Sequence, residues 1–167
     1  YWASKDTDFS VVQNRLYTKA KRVAVSVSAG PTIGNDFHTG MMYSTDVSYF
    51  FSERLGVAAT YSNSDLKEND NVKVLVSRYG VRPNFNKEGQ FYGISALLVP
   101  IYAKASLLNK KIVYFDFAIS PGIGIQEYTQ QIETGDKKQT APALSLDITQ
   151  QFFFSTHFAL RADYRNR

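Results

Sequence analysis

The chain has 167 residues, with 19 Lys and Arg against 15 Asp and Glu, a net charge of +4 and no cysteine. The length suits one domain, and without cysteine it has neither disulfides nor thiolate metal sites. Basic and acidic residues are mixed along the chain, so the positive excess forms no stripe of the kind that binds nucleic acid. We therefore expect no nucleic-acid partner.

No apolar run reaches the roughly 18 to 20 residues that a membrane helix needs. A membrane barrel is compatible with the mean hydropathy of -0.27, because its strands need only about 9 to 11 residues and expose one apolar face. The first residues carry no basic start followed by an apolar stretch. A secreted protein has this appearance after its signal peptide is removed.

Segments with period-two alternation predict strands along most of the chain. They cover 22–30, 41–52, 55–62, 92–108, 112–125, 143–152 and 158–165. Pro100 lies inside the fourth segment, where only a bulge or a locally unpaired position tolerates proline. Almost nothing predicts a long helix, so the chain is expected to be all-β.

The predicted connections alternate between short and long. Tight turns fall at 52–54, 109–110 and 155–157, and longer loops at 30–40, 63–90 and 126–140. Tight turns at one rim and long loops at the other are typical of an up-and-down antiparallel transmembrane β-barrel with its short turns in the periplasm. Residues 22–167 are then the barrel domain, of about eight strands, and residues 1–21 a periplasmic N-terminal segment.

The two faces of each predicted strand differ in chemistry. One face is apolar, with aromatic residues near the strand ends, and the other is mostly Ser, Gly, Ala and Thr with few charges. A soluble lipocalin-like barrel has its apolar face inside and a charged, solvated surface outside. Small polar residues here favour the crowded interior of a narrow barrel with lipid outside. The side chains expected to face lipid are Val113, Phe115, Phe117, Ile119, Leu144, Leu146, Ile148 and Leu160.

Seven charged residues fall on the polar face. Buried charges persist only when they are paired and hydrogen-bonded. Because acids and bases nearly balance, we predict an ion-pair network that fills the lumen, rather than an open pore. Its expected members are Asp46, Lys104, Asp116, Asp147, Arg161, Asp163 and Arg165.

Seven strands are visible, whereas single-chain bacterial barrels have an even number. We therefore expect a closing strand. It is absent from this sequence, supplied by a partner, or formed by an unexpected pairing of residues 8–17 or 72–79. An open edge in lipid leaves backbone groups unpaired at a cost of roughly several kcal/mol each.

Three segments carry a family resemblance that, with the strand spacing, extends over nearly all of the chain. They are VVQNRLY (11–17), YFDFAISPGIGI (114–125) with its preceding LLNKKIV, and ALRADYRNR (159–167). In these the chain resembles small outer-membrane β-barrel domain proteins of gliding and predatory deltaproteobacteria. The resemblance implies a cleaved signal peptide, an eight-stranded barrel and, in most members, no defined biochemical activity. Some relatives belong to envelope-spanning motility or adhesion assemblies, so other envelope proteins are implied as partners.

The two histidines are the first candidates for chemistry. Outer-membrane acyl-transfer and lipase barrels use a His with Ser or Asp partners. His38 has Asp36 and Thr39 nearby in sequence, but this spacing is unspecific, and an outer surface-loop histidine is the favoured interpretation. His157 is predicted in a tight periplasmic turn. We therefore predict no catalytic residue.

Other motifs have structural explanations. Gly122 and Gly124 lie within a strand pattern with no helix after them, so they indicate close packing or a bulge, not a dinucleotide loop. Asp65 and Glu68 miss the spacing of a calcium loop and favour a helix-start capping box. The segment 72–81 fits a short helix or a strand extension. We therefore predict no metal site and no cofactor.

Two groups of bases invite a binding role. These bases could contact anionic lipid head groups or periplasmic partners. The favoured interpretation is that they are charged residues that mark the membrane boundary. The groups are Lys19, Lys21 and Arg22, and Lys110 and Lys111.

The leading functional hypothesis is a non-enzymatic structural anchor or docking module in the bacterial outer membrane, with outer-membrane lipids as its surroundings. It acts alone or within a multi-protein envelope complex. The alternatives are a lipid-modifying enzyme with a loop active site, a narrow channel and a soluble ligand-binding barrel.

Overall fold

The computed structural model describes five stretches of the chain, over residues 16–33, 38–80, 85–107, 111–132 and 135–167. Within them each strand pairs antiparallel with the next, in one sheet that curls into a nearly closed barrel. The predicted all-β, up-and-down architecture is therefore confirmed. The elements are β1 (Arg22–Pro31), β2 (His38–Phe50), β3 (Leu55–Glu68), α1 (Asp70–Tyr79), β4 (Phe85–Leu107), β5 (Lys111–Ile132), β6 (Gly135–Phe153) and β7 (Ala159–Asn166).

The two ends of the barrel differ in their connections. One end, the short-turn rim, carries the β2–β3 and β6–β7 turns, and each is built on a serine. The Ser52 hydroxyl accepts hydrogen bonds from the amides of Arg54 and Leu55 at 3.3 and 3.1 Å. The Ser155 hydroxyl accepts from the amides of His157 and Phe158 at 3.3 and 3.0 Å. The predicted turn at 109–110 lies outside the described residues.

The opposite end, the long-loop rim, carries the β1–β2 connection and α1. Asn69 begins the helix, because its side chain accepts a hydrogen bond from the amide of Asp70 at 2.7 Å. Gly80 ends it in the left-handed region at a φ of 63°. The predicted capping box of Asp65 and Glu68 is wrong, because both residues still belong to β3. No helix in the described residues is long and apolar enough to cross a membrane.

Three strands, β4, β5 and β6, are longer than the sequence predicts. β4, β5 and β6 have 23, 22 and 19 residues, and β5 pairs with β6 as far as Ile132 and Gly135. The predicted loop at 126–140 is therefore wrong, and much of the loop at 63–90 is also strand. The strand segments in these two regions are polar on both faces. They therefore lack the alternation of apolar and polar residues that reveals a half-buried strand. Segments 85–90, 126–132 and 135–140 form a polar three-stranded ribbon at the long-loop rim.

Pro100 lies at a β-bulge, as its position required. Two residues of β4 between Leu98 and Ile101 oppose one residue of β5, which shifts the register. The bulge reverses which residues face inward, so Val99 is buried while Ile101 is exposed. Uninterrupted period-two alternation would place these two side chains on the same face. The amide of Val99 donates to the carbonyl of Arg54 at 2.8 Å.

Candidate functional site

The outer surface of the barrel is apolar and its interior is polar. All eight side chains expected to face lipid lie on the outer face, and Leu144 is 77% exposed. Apolar side chains of β1 to β4 extend this surface. The alternate positions face inward, where Asp46, Ser62 and Asp116 are almost fully buried. The candidate site is this charged interior, which contains two separate clusters.

The first cluster closes the barrel at the short-turn rim. We call residues 16–21 the mouth plug. The ammonium group of Lys19 lies 2.6 Å from a carboxylate oxygen of Asp116, with the two side chains 9% and 1% exposed. It also donates to the side-chain oxygen of Gln151 at 2.8 Å. The carboxylate of Glu53 accepts from the amides of Lys19 and Ala20 at 3.0 to 3.1 Å. The plug is thus tied to both the barrel wall and the β2–β3 turn.

Aromatic rings surround the buried Lys19. Its ammonium group lies 4.8 Å from the ring centre of Phe50 and 5.1 Å from that of Phe153, distances at which a cation is attracted to a ring face. Tyr17 stacks on Phe153 at 5.4 Å and meets Tyr114 edge-on at 5.5 Å. These contacts fill the mouth of the barrel with side chains.

The second cluster, the arginine network, is built on β7 and β2. Arg165 lies 2.7 Å from a carboxylate oxygen of Asp46 and 3.0 Å from one of Asp163. The Nε atom of Arg161 lies 2.6 Å from Asp163. The hydroxyl of Thr60 donates to Asp46 at 2.7 Å. Charges in this network are paired and hydrogen-bonded, which is what burial demands.

The structure brings together only part of the predicted charge set. Asp46, Arg161, Asp163 and Arg165 form the arginine network, with Ser26, Ser28 and Thr149 as further partners. Asp116 belongs to the other cluster, and Asp147 is buried on β6 outside the ion-paired groups of the described residues. Lys104 is exposed near the end of β4, because that position lies at the rim rather than in the lumen.

Lys19 is the functional residue that the sequence reasoning missed. The expected role for Lys19, Lys21 and Arg22 was at the membrane boundary. Lys21 and Arg22 are exposed, but Lys19 is buried and fills the cationic position expected of Lys104. No periodic pattern marks residues 16–21, and only the excess of four interior acids over three interior bases could have pointed to a further cation.

A third interior feature is a glycine pair covered by an aromatic ring. Gly93 on β4 is directly opposite Gly124 on β5. A Cβ atom on Gly93 would lie 2.5 Å from the ring of Phe91, and one on Gly124 would lie 2.6 Å from it. The guanidinium of Arg167 lies 3.8 Å from the centre of the same ring. This confirms the expected close packing at Gly124.

The structure corrects the favoured interpretation of His38. That residue begins β2 and is 1% exposed, so it is not a surface-loop histidine. Its sequence neighbour Asp36 lies outside the described residues. His157 is exposed in the β6–β7 turn, with a ring nitrogen 2.9 Å from the hydroxyl of Thr156. Within the described residues no group of three His, Cys, Asp or Glu side chains forms a metal site.

Neither the mouth plug nor the arginine network presents an exposed nucleophile beside a base, and their contacts are those of ion pairs that fill space. The arrangement can hold the strands together and obstruct the lumen.

Comparison with known proteins adds no relative, since no family model, no curated protein and no solved structure matches the chain.

Proposed function

We propose that the protein is a non-enzymatic outer-membrane β-barrel that serves as a structural anchor or docking module. One observation carries the membrane assignment: apolar side chains are exposed all around the sheet, while charged side chains are buried inside. Exposed apolar patches on soluble proteins rarely exceed a few hundred Å². In a bilayer the same surface is matched to its surroundings.

The distribution of aromatic side chains supports this assignment. Tyr49, Phe51, Phe154 and Phe158 are exposed near the short-turn rim. A second group of exposed aromatic side chains lies toward the long-loop rim. Between the two groups the exposed side chains are aliphatic, as at Val47, Ile94 and Ile123. Two aromatic girdles around an aliphatic band are the pattern of membrane barrels. The second group consists of Tyr43, Tyr61 and Tyr92.

The polar ribbon supports the docking role. A strand of about 9 to 11 residues spans the bilayer, so β4, β5 and β6, with 23, 22 and 19 residues, are long enough to extend beyond it as the ribbon. β3 pairs with β4 only as far as Asn63 and Gln90, although β3 continues to Glu68. Within the described residues the β4 side of the ribbon is therefore a free edge, and an edge strand is a ready template for pairing with a partner.

The lipid-facing assignment is tested by a charge on the outer face. Ile123→Arg is expected to lower the free energy of unfolding by about 2 to 4 kcal/mol in lipid vesicles, because an arginine near the bilayer midplane must be desolvated. Thr140→Arg is the matched control, since Thr140 is exposed on the polar ribbon, and a change within about 0.5 kcal/mol is expected. Urea titration in vesicles measures both. Equal tolerance of the two variants, with release from envelopes without detergent, would support a soluble barrel instead.

The docking role is tested separately by affinity purification from detergent-solubilised envelopes. The wild-type protein is expected to retain a partner that Lys137→Glu with Lys138→Glu loses, because both exposed lysines lie on the ribbon. A control variant, Arg54→Glu, changes an exposed residue at the opposite rim and is expected to retain it. A wild-type protein that purifies alone would contradict docking while leaving the barrel assignment intact.

A further inference from the structure

β4 and β5 form a hairpin that extends past β3 at the short-turn rim. β3 begins at Leu55, which pairs with Leu98, whereas β4 continues as far as Leu107. This part of β4 pairs with the beginning of β5. We call residues 101–107, together with residues 111–117, the rim hairpin. It lies at the end of β4 opposite the polar ribbon.

The β4 side of the rim hairpin is a free edge in the part of the chain that the structure describes. Just before this edge, the amide of Val99 still donates to the carbonyl of Arg54 at 2.8 Å. Beyond it, residues 101–107 pair with β5 alone. The mouth plug packs on the inner face of the hairpin, where Tyr17 meets Tyr114 edge-on at 5.5 Å, and does not pair along the edge.

The rim hairpin carries positive charge that its own acid does not balance. Residues 101–117 contain one acid, Asp116, which is fully buried and lies 2.6 Å from the ammonium group of Lys19. Its charge is therefore already neutralised by the mouth plug. The same segment contains three lysines, which are Lys104, Lys110 and Lys111. Lys104 is exposed on β4, so the edge offers a cation to a partner.

We propose that the free edge of the rim hairpin binds an acidic, extended peptide segment of another protein, which adds beside β4 as a further strand. The backbone of the segment completes the ladder that the edge leaves open, as extended peptides do on exposed sheet edges. Its acidic side chains meet the lysines of the hairpin. A lipid head group matches the charge but has no backbone for the ladder, and an unpaired edge is not tolerated among lipid tails.

Charge distinguishes this edge from the free edge of the polar ribbon. The ribbon has no net charge, because its three segments contain three lysines and three acids, which are Lys87, Lys137, Lys138, Glu88, Glu127 and Asp136. An acidic segment is therefore attracted to the rim hairpin more strongly than to the ribbon. That the partner is periplasmic rests on the proposed outer-membrane location, whereas the edge and its charge do not.

Two synthetic peptides test whether the backbone takes part in binding. The probe is a fluorescent peptide of alternating glutamate and valine, and its matched control has the same sequence with N-methylated backbone amides. The full chain in neutral detergent is expected to bind the control about tenfold more weakly than the probe, because methylation keeps the charge but removes the ladder donors. Fluorescence anisotropy measures both affinities. Equal binding of the two peptides, or no binding of the probe, would overturn the proposal.

Lys104→Glu tests where the probe binds. This variant is expected to bind the probe about tenfold more weakly, because reversing the charge replaces an attraction with a repulsion. Lys67→Glu is the matched control, since it makes the same change at an exposed lysine of β3 near the long-loop rim, and it is expected to bind the probe as the wild type does. An equal loss in both variants, or no loss in either, would contradict binding at the rim hairpin.

A photo-crosslinking amino acid in place of Ala105, an exposed residue of the free edge, identifies what covers the edge. The expected product is a crosslink to the added probe. A crosslink to residues 1–15 that the probe does not displace would show that the chain covers its own edge, and would overturn the proposal. These assays depend on the edge alone, so their failure leaves the membrane test with Ile123→Arg and the ribbon test with Lys137→Glu and Lys138→Glu unaffected.

Discussion

Lys19 shows how a cation is kept inside this barrel. Its ammonium group has a carboxylate, an amide oxygen and two aromatic rings as neighbours, so it exchanges hydration for several specific contacts. Removing one partner of a buried ion pair leaves the other charge uncompensated, which is far worse than removing both. The pair with Asp116 is therefore expected to show strong coupling.

Lys19→Met is expected to lower the free energy of unfolding by about 3 to 5 kcal/mol, because the carboxylate of Asp116 stays buried without its partner. Lys19→Met combined with Asp116→Asn is expected to recover a large part of that loss. Lys104→Met serves as the control, since Lys104 is exposed, and should change stability by less than about 0.5 kcal/mol. Urea unfolding of the wild type, the single variants Lys19→Met and Asp116→Asn, and the double variant completes a double-mutant cycle. Additive effects of the two changes would contradict the pairing.

At the scale of elements, the Gly93–Gly124 pair lets the ring of Phe91 pack closely over β4 and β5. Phe91 covers the two glycines from within, so one ring fills the space that two missing side chains leave. The strand pattern around these glycines is readable from sequence because apolar and small residues alternate. The ring that covers them is not readable, since Phe91 comes from a position where the pattern of β4 is weak.

Gly124→Ala is expected to destabilise the barrel by about 1 to 3 kcal/mol, because its Cβ atom would overlap the Phe91 ring and the carbonyl of Tyr92. Gly30→Ala is the matched control. An added Cβ there meets nothing within 4 Å, and a small change is expected. Thermal unfolding in detergent compares the variants. A Gly124→Ala variant of unchanged stability, together with a destabilised Phe91→Leu, Gly124→Ala double variant, would contradict close packing of the Phe91 ring on Gly124.

The strands that the sequence predicted well are those with one apolar and one small polar face, such as β2 and β3. Alternation fails where both faces meet water, which is why the ribbon was taken for loops. It also fails at the bulge before Ile101, since one extra residue reverses the faces. The interior acids could be identified because charge on a small-residue face is unusual. Arg161 and Arg165 could be identified in the same way, but Lys19 and the choice of which acid pairs with which base could not, because ion pairing depends on which strands curl together.

At the scale of the whole molecule, the two charged clusters occupy different levels of the same lumen. The mouth plug fills the short-turn end, and the arginine network fills the space beside β7. A barrel of about eight strands is narrow enough for side chains to fill its interior. The lumen is therefore filled with side chains rather than open as a channel.

We expect no steady conductance when the full-length protein is inserted into planar bilayers. Lys19→Met is expected to remain closed as well, because the arginine network still fills the lumen above the plug. A porin measured in the same bilayers provides the positive control. Regular single-channel steps from the wild-type protein would favour the narrow-channel alternative.

The position of the mouth plug also determines how the molecule would carry a mechanical load. Tyr17 and Lys19 contact Asp116, Gln151 and Phe153 on β5 and β6, whereas the chain leaves the plug into β1 on the other side of the sheet. Tension applied ahead of Tyr17 would thus reach β5 and β6 before it could peel β1 from β2. The force would then be shared among several strands of the barrel wall rather than carried by β1 alone.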